Sequence, residues 1–293
     1  MKKTPKNDTK DVDLKIQPLK EKAIIVTPTG DGKLHLGHVK SIVDCYVHND
    51  SKNLERLTCD GSVLQRNFNY LIRRAIDYKK DEDTNTRWLV IYHSDIEVVE
   101  SNWLAAMVSI MEYRKFDVMA LPMLIKSPSQ NTSFSFEKED MEWEYGAFTT
   151  DQLTQIKEQS SSFFDDPHLL YNTGVMVIDM DSKAFKKMVE KSDGIYFRID
   201  EGISPTGKTG MLSEDWYFSK LLRDAGANMK LYCDLTTVHY GGVGWILKNG
   251  VAGMCSMPGG WVLPLKPLRR TPHGEGMTYG KQLPEGSVPP KKK

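Results

Sequence analysis

Short apolar runs rich in β-branched residues alternate along this chain with stretches whose apolar residues recur at helical spacing, and no other feature constrains the fold as much. The runs are Ala23-Ile24-Ile25-Val26, Trp88-Leu89-Val90-Ile91-Tyr92, Val118-Met119-Ala120-Leu121 and Val175-Met176-Val177-Ile178. Runs of this length without polar alternation fit strands buried on both faces. Between them, Leu36, Val39, Val43 and Val47 mark the expected buried face of one helix, and Phe68, Leu71, Ile72 and Ala75 that of a second. Arg66, Asn69 and Arg73 share a separate polar stripe on the second helix. Ser101 is placed to cap a helix with Leu104, Met107, Val108 and Met111 inside, and Ser213 to cap one that Gly226 ends. Such alternation predicts an α/β domain with a mixed, mostly parallel central sheet covered by helices. Ligands of such sheets sit beyond the carboxyl ends of the strands. The run ending at Tyr92 gives way there to polar His93-Ser94-Asp95.

The chain has 293 residues, enough for one large core, and a single domain is expected over residues 21–265. Residues 1–20 read as a polar arm and 266–293 as a basic tail rich in Pro and Gly. The polar, acidic segment 127–146 reads as a long surface excursion. Lys+Arg 39 against Asp+Glu 39 leaves no net charge, which excludes a strong overall field toward nucleic acid or an anionic membrane. Cys45, Cys59, Cys233 and Cys255 have neither metal-site spacing nor disulfide-scaffold density, so they are expected to be reduced. No stretch reaches the roughly 18 apolar residues of a membrane span, and the start is polar where a signal peptide is apolar. A cytoplasmic location is the expectation.

Two short motifs suggest phosphate chemistry. Gly202-Ile203-Ser204-Pro205-Thr206-Gly207-Lys208-Thr209 satisfies the P-loop pattern, although it stands late in the chain and the next helix starts only at Ser213. His35-Leu36-Gly37-His38 resembles the HIGH box of class I aminoacyl-tRNA synthetases, without a downstream KMSKS-like partner. A P-loop NTPase and a HIGH-type nucleotidyl transferase are therefore alternatives.

A third, dispersed set of six segments resembles the GT-A glycosyltransferases in the family's order. These are Val26 to Gly32, then Ser62 to Asn69, then Trp88 to Asp95 in the place of the hhhhDxD strand. Tyr171 to Met176 resembles (F/Y)NxGhM, Ser213 to Phe218 resembles (G/S)EDxxF, and His239-Tyr240-Gly241-Gly242 resembles the late histidine segment. The departure is His93, where the family more often has aspartate.

The resemblance implies a GT-A fold, with a Rossmann-like nucleotide-binding half merged with an acceptor-binding half. It implies transfer of a sugar from a nucleotide diphosphate sugar, UDP-linked by family habit, to a hydroxyl of a glycan or of a hydroxymethylated DNA base. Inversion is preferred, with Asp215 as general base beside Glu214. A metal ion, Mn²⁺ or Mg²⁺, is expected on Asp95, His93 and His239, since carboxylate and imidazole suit such an ion. If the extended conformation persists, residues 93, 95 and 97 point the same way, so His93, Asp95 and Glu97 would converge. Donor contacts are expected from Thr27, Pro28, Thr29, Asp31, Arg66, Asn69, Ser94, Asn172 and Gly174. A sugar-nucleotide binder without activity is a further alternative.

Overall fold

The structure is a computed structural model that describes residues 15–255 apart from 31, 128, 130, 139–141, 159–161 and 242. Most of the expected arm and the whole of the expected tail lie outside the described residues. The chain opens with β1 (Lys22–Thr29), α1 (Leu36–His48), β2 (Leu54–Asp60), α2 (Leu64–Asp77) and β3 (Thr86–Tyr92). Next come β4 (Ile96–Val98), α3 (Trp103–Arg114), β5 (Val118–Ala120), β6 (Asn131–Glu137), β7 (Tyr145–Thr149) and α4 (Thr150–Glu158). They are followed by β8 (Phe163–Phe164), β9 (Leu169–Leu170), β10 (Val175–Asp179), α5 (Lys183–Lys191), β11 (Asp200–Ile203) and β12 (Thr209–Leu212). The last described elements are α6 (Glu214–Asp224), β13 (Met229–Tyr232), β14 (Thr237–Tyr240), β15 (Gly244–Lys248) and β16 (Val251–Cys255).

A seven-stranded sheet in the order β2-β1-β3-β10-β5-β13-β8 forms the centre. The four apolar runs form four of its five inner strands, and residues alternate between its two faces. Ile24, Val26, Leu89, Ile91, Met176 and Ile178 pack with Phe68, Leu71, Phe185 and Phe218 from α2, α5 and α6. Ile25, Val90, Tyr92, Met119 and Val177 pack with Ile42, Trp103, Leu104 and Met107 from α1 and α3. Burying each large aliphatic side chain is worth about 1.5–3 kcal/mol, so two covered faces account for runs without polar alternation.

The sheet is mixed, as expected, and five of its seven strands run the same way, with β10 and β8 reversed. β1 runs parallel to β2 and β3, and β5 to β13, but β10 is antiparallel to both β3 and β5, and β8 is antiparallel to β13. Because Val175 opens β10 opposite Tyr92 at the end of β3, the segment before β10 shares one edge with the carboxyl ends of β1, β3 and β5. A second sheet, β16-β15-β14-β4, starts just past that edge.

Three local expectations are corrected. Helix α1 buries Gly37, His38, Ser41, Ile42 and Cys45, while Leu36, Val43 and Val47 are 64%, 54% and 72% exposed. The helix is turned by a bond that periodicity does not register, since Ser41 Oγ donates to Val98 O at 2.8 Å and accepts from Val98 N at 3.0 Å. Ser101 does not cap α3, which starts at Trp103 after Asn102 without a side-chain cap. Segment 127–146 is not a plain surface excursion, because β6 pairs with β7 and β9 and sends fully buried Phe134 into the core with Phe148. Ser213, by contrast, caps α6 as expected, accepting from Trp216 N. Cys45, Cys59 and Cys233 are free. Among the described residues no helix is long and apolar enough to cross a membrane.

Candidate active site

The site forms where β3 ends. The chain leaves the strand at His93 and turns at Ser94 and Asp95 before β4, so residues 93, 95 and 97 do not continue one extended strand. Their side chains take different partners. His93 faces Thr173, Asp95 faces Lys126 and His239, and Glu97 accepts from the Tyr240 hydroxyl at 2.5 Å and pairs with Lys40 at 3.1 Å.

The first cluster joins β3, the segment before β10 and the start of α6. His93 Nε2 lies 3.3 Å from Thr173 Oγ1, which donates to Asp215 Oδ1, while Asn172 Nδ2 donates to Asp215 Oδ2 at 2.5 Å. Since Thr173 has one hydroxyl hydrogen and directs it at the carboxylate, the His93 contact must be a donation from Nε2. Burial pushes His93 down to about 4, so it is neutral near pH 7. Burial also pushes Asp215 up to about 6, against the Thr173 bonds that favour its charged form. Glu214 is raised by burial and by the Asp215 charge beside it. Both acids occupy the first turn of α6, where the helix dipole favours a carboxylate.

The second cluster surrounds Asp95. Lys126 Nζ pairs with Asp95 Oδ2, and His239 Nε2 stands 3.6 Å from the same oxygen. His239 Nδ1 contacts Leu124 O at 2.7 Å; a carbonyl only accepts, so Nδ1 carries the hydrogen and Nε2 is turned toward Asp95. Burial alone would raise Asp95, but the hydrogen bond and charge of His239, with His93 and Lys126, hold it well below the usual carboxylate range. His35, the N-cap of α1, borders this cluster: it stacks on Tyr240 at 3.6 Å and its backbone N–H donates to Ser94 O at 2.8 Å. His35 Nδ1 accepts from Gly37 N, which leaves Nε2 as the protonated nitrogen of the neutral ring.

The expected metal set is not assembled as written. His93 is committed to Thr173, and among the described residues no three His, Cys, Asp or Glu side chains are arranged to hold a metal ion. Asp95 and His239 remain as a facing pair.

Of the expected donor residues, Thr27, Pro28 and Thr29 form the buried end of β1, and Asp31 lies outside the described residues. Asn67 holds this loop to the one after β2, donating to Thr29 O at 3.1 Å and Gly61 O at 3.0 Å. Arg66 is exposed at the start of α2. Asn69 has a different job from the one expected. Its oxygen accepts from Tyr196 N at 2.7 Å and Phe197 N at 3.0 Å, and its nitrogen donates to Phe197 O at 2.7 Å. With Arg73 bonded to Gly194 O at 2.8 Å, the polar stripe of α2 docks a neighbouring chain segment. Asn172 Oδ1 accepts from Gly174 N at 2.7 Å, and Gly174 O accepts from His93 N at 2.9 Å, which fixes the segment against the end of β3.

Thr173, Lys126 and Asn67 were missed as site residues, and His35 was singled out only as half of the HIGH-like pair. Thr173 sits between two flagged neighbours in Asn172 and Gly174, so its hydroxyl was legible, whereas nothing near Lys126 in the sequence points to Asp95.

Neither competing motif has the context it needs. The P-loop-like segment is the turn of the β11–β12 hairpin, with strand β12 and not a helix directly after Lys208. Its Gly202 and its neighbour Gly210 are there for Trp143, since a Cβ on either would fall 2.1 Å or 1.9 Å from that residue. In the HIGH-like segment, His38 is fully buried against Tyr92 at 4.3 Å, so the two histidines do not face one phosphate chain.

No protein-family model matches the chain, and no curated protein matches its sequence. Among solved structures, the "Crystal Structure of A197 from STIV" is similar with a TM-score of 0.50 at 13% identity, covering 85% of this chain and 100% of that one. At that identity the likeness concerns the fold alone, a mixed α/β arrangement compatible with a Rossmann-like one.

Proposed function

We propose that the protein is a glycosyltransferase of the GT-A kind, moving a sugar from a nucleotide diphosphate sugar, UDP-linked for preference, to a hydroxyl acceptor. One observation carries the reading: four segments that resemble that family's motifs, spread from His93 to His239, meet through direct side-chain contacts at one sheet edge. A buried carboxylate raised toward neutrality stands at one end of the cluster and a cation-lined carboxylate at the other. That is the pairing the chemistry needs, a base for the nucleophile and positive charge for the leaving group.

In the reaction proposed, the acceptor oxygen attacks the sugar's anomeric carbon. The bond from that carbon to the β-phosphate oxygen breaks, its electron pair leaving with the nucleoside diphosphate. The hydroxyl proton passes to Asp215, which Thr173 and Asn172 hold in place. Attack opposite the leaving group inverts the anomeric carbon. Thr27, Pro28, Thr29, Asp31, Arg66 and Ser94 are the proposed donor contacts. Asp95 and His239 Nε2 fit a divalent ion as a two-residue set, and Mn²⁺ or Mg²⁺ held there would supply Lewis-acid charge to the diphosphate. Glycans and hydroxymethylated DNA bases are the proposed acceptors.

The test is a panel of nucleotide sugars incubated with the protein and Mn²⁺, with release of nucleoside diphosphate as the readout. Turnover is expected with at least one donor, and Asp95→Ala is expected to lower it at least tenfold. Neither binding nor turnover with any donor would sink the proposal.

A further inference from the structure

Two nitrogen groups converge on one oxygen of Asp95. Its Oδ2 is shared by the Lys126 ammonium and the His239 imidazole. His35 and the N-terminus of the 13-residue helix α1 stand on the side of Ser94, adding a donor ring and the positive end of a helix dipole. The next carboxylate along, Glu97, already pairs with Lys40 and accepts from Tyr240. Each of these two carboxylates thus has a lysine partner, and the Lys126 ammonium stands at the strand end where an anion would enter.

Stability does not account for Lys126. Its side chain is 39% exposed and that of Asp95 35%, and an ion pair at the protein surface contributes little to stability. Its stem runs along the backbone at Gly241, where an added Cβ would meet Lys126 Cδ at 3.2 Å, so the ammonium is delivered to Asp95 across the loop that follows β14. A lysine held this way is a ready counter-charge for a phosphate, a role that lysine performs as a point charge.

We propose that Lys126 is a resident cation for the donor's diphosphate, and that it competes with any divalent ion for Asp95. This rests on the glycosyltransferase reading. A divalent ion approaching Asp95 must displace the ammonium from Oδ2, so metal supplements a positive seat that already exists. Binding of a nucleoside diphosphate in chelator therefore depends on Lys126.

The experiment is calorimetric titration of the full chain with UDP, and with GDP, in EDTA and then in Mn²⁺. Wild type is expected to bind one of them in EDTA. Lys126→Met is expected to weaken that binding more than tenfold, Lys126→Arg to restore most of it, and Mn²⁺ to narrow the gap, with all three proteins melting alike. Mn²⁺ uptake followed by electron paramagnetic resonance should tighten in Lys126→Met, because the competitor for Asp95 is gone. Equal binding of the diphosphate by wild type and Lys126→Met in EDTA overturns the inference and leaves the glycosyltransferase reading standing, as does wild-type binding that needs Mn²⁺ outright. Wild type that binds neither nucleotide with or without Mn²⁺ overturns both.

Discussion

Asp215 shows how a single side chain can be tuned by its surroundings. Its carboxylate is buried and takes hydrogen bonds from Thr173 and Asn172, and the balance leaves it at about 6. If it is the base, transfer falls as pH drops through about 6, and Asp215→Asn loses roughly 10²–10⁴-fold in rate. Thr173→Val removes a bond that favours the charged form, so the acid limb of the pH–rate profile should move to higher pH; an unmoved limb would separate Thr173 from the base. Stability runs the other way. Because the folded-state pKa lies above the unfolded value near 3.9, the ionised group costs stability above about pH 6, a cost absent below about pH 4. Asp215→Asn is therefore expected to melt no lower than wild type at pH 7.5. A clear drop would mark the residue as structural.

At the scale of elements, helices α1 and α2 show that periodicity finds a helix more readily than it finds which face works. The apolar stripe of α1 faces solvent because the Ser41 bond to Val98 and the small residues of the other face settle its rotation. Val47→Lys should then change unfolding free energy by no more than about 0.5 kcal/mol, as at other exposed positions. A loss of 2 kcal/mol or more in urea denaturation would contradict that placement. The polar stripe of α2 looked free to meet a ligand, yet Asn69 carries the backbone of Tyr196 and Phe197. Each buried backbone group left unpaired costs about 1–3 kcal/mol, so Asn69→Ala should destabilise by at least that amount while binding of a nucleoside diphosphate stays unchanged. Affinity lost without stability would return Asn69 to the donor site.

Over the whole molecule, the direction of β10 decides where the site is. Running against β3 and β5, it delivers Asn172, Thr173 and Gly174 to the edge where His93 and Asp95 emerge, and α6 brings Asp215 to meet them. Gly174 is the closest point of this assembly, since a Cβ there would lie 2.3 Å from Met123 Sδ and 2.6 Å from Ile96 Cδ1. Gly174→Ala should accordingly lower melting temperature and activity together, because the same shift that relieves the clash moves Thr173 from Asp215. Loss of activity without loss of stability would mean the glycine serves a ligand directly.

The amino-acid sequence by itself determined the strands, since unbroken apolar runs have to be buried on both faces, and it pointed to the segments that form the site, since their polar residues interrupt those runs at strand ends. It also determined the start of α6, because a serine cap acts within one turn. Only the tertiary structure decided the antiparallel course of β10, the different partners of His93 and Asp95, the structural duty of Asn69 and the pairing of Lys126 with Asp95. Each of those depends on contacts between residues far apart in the chain, which local spacing and residue type do not encode.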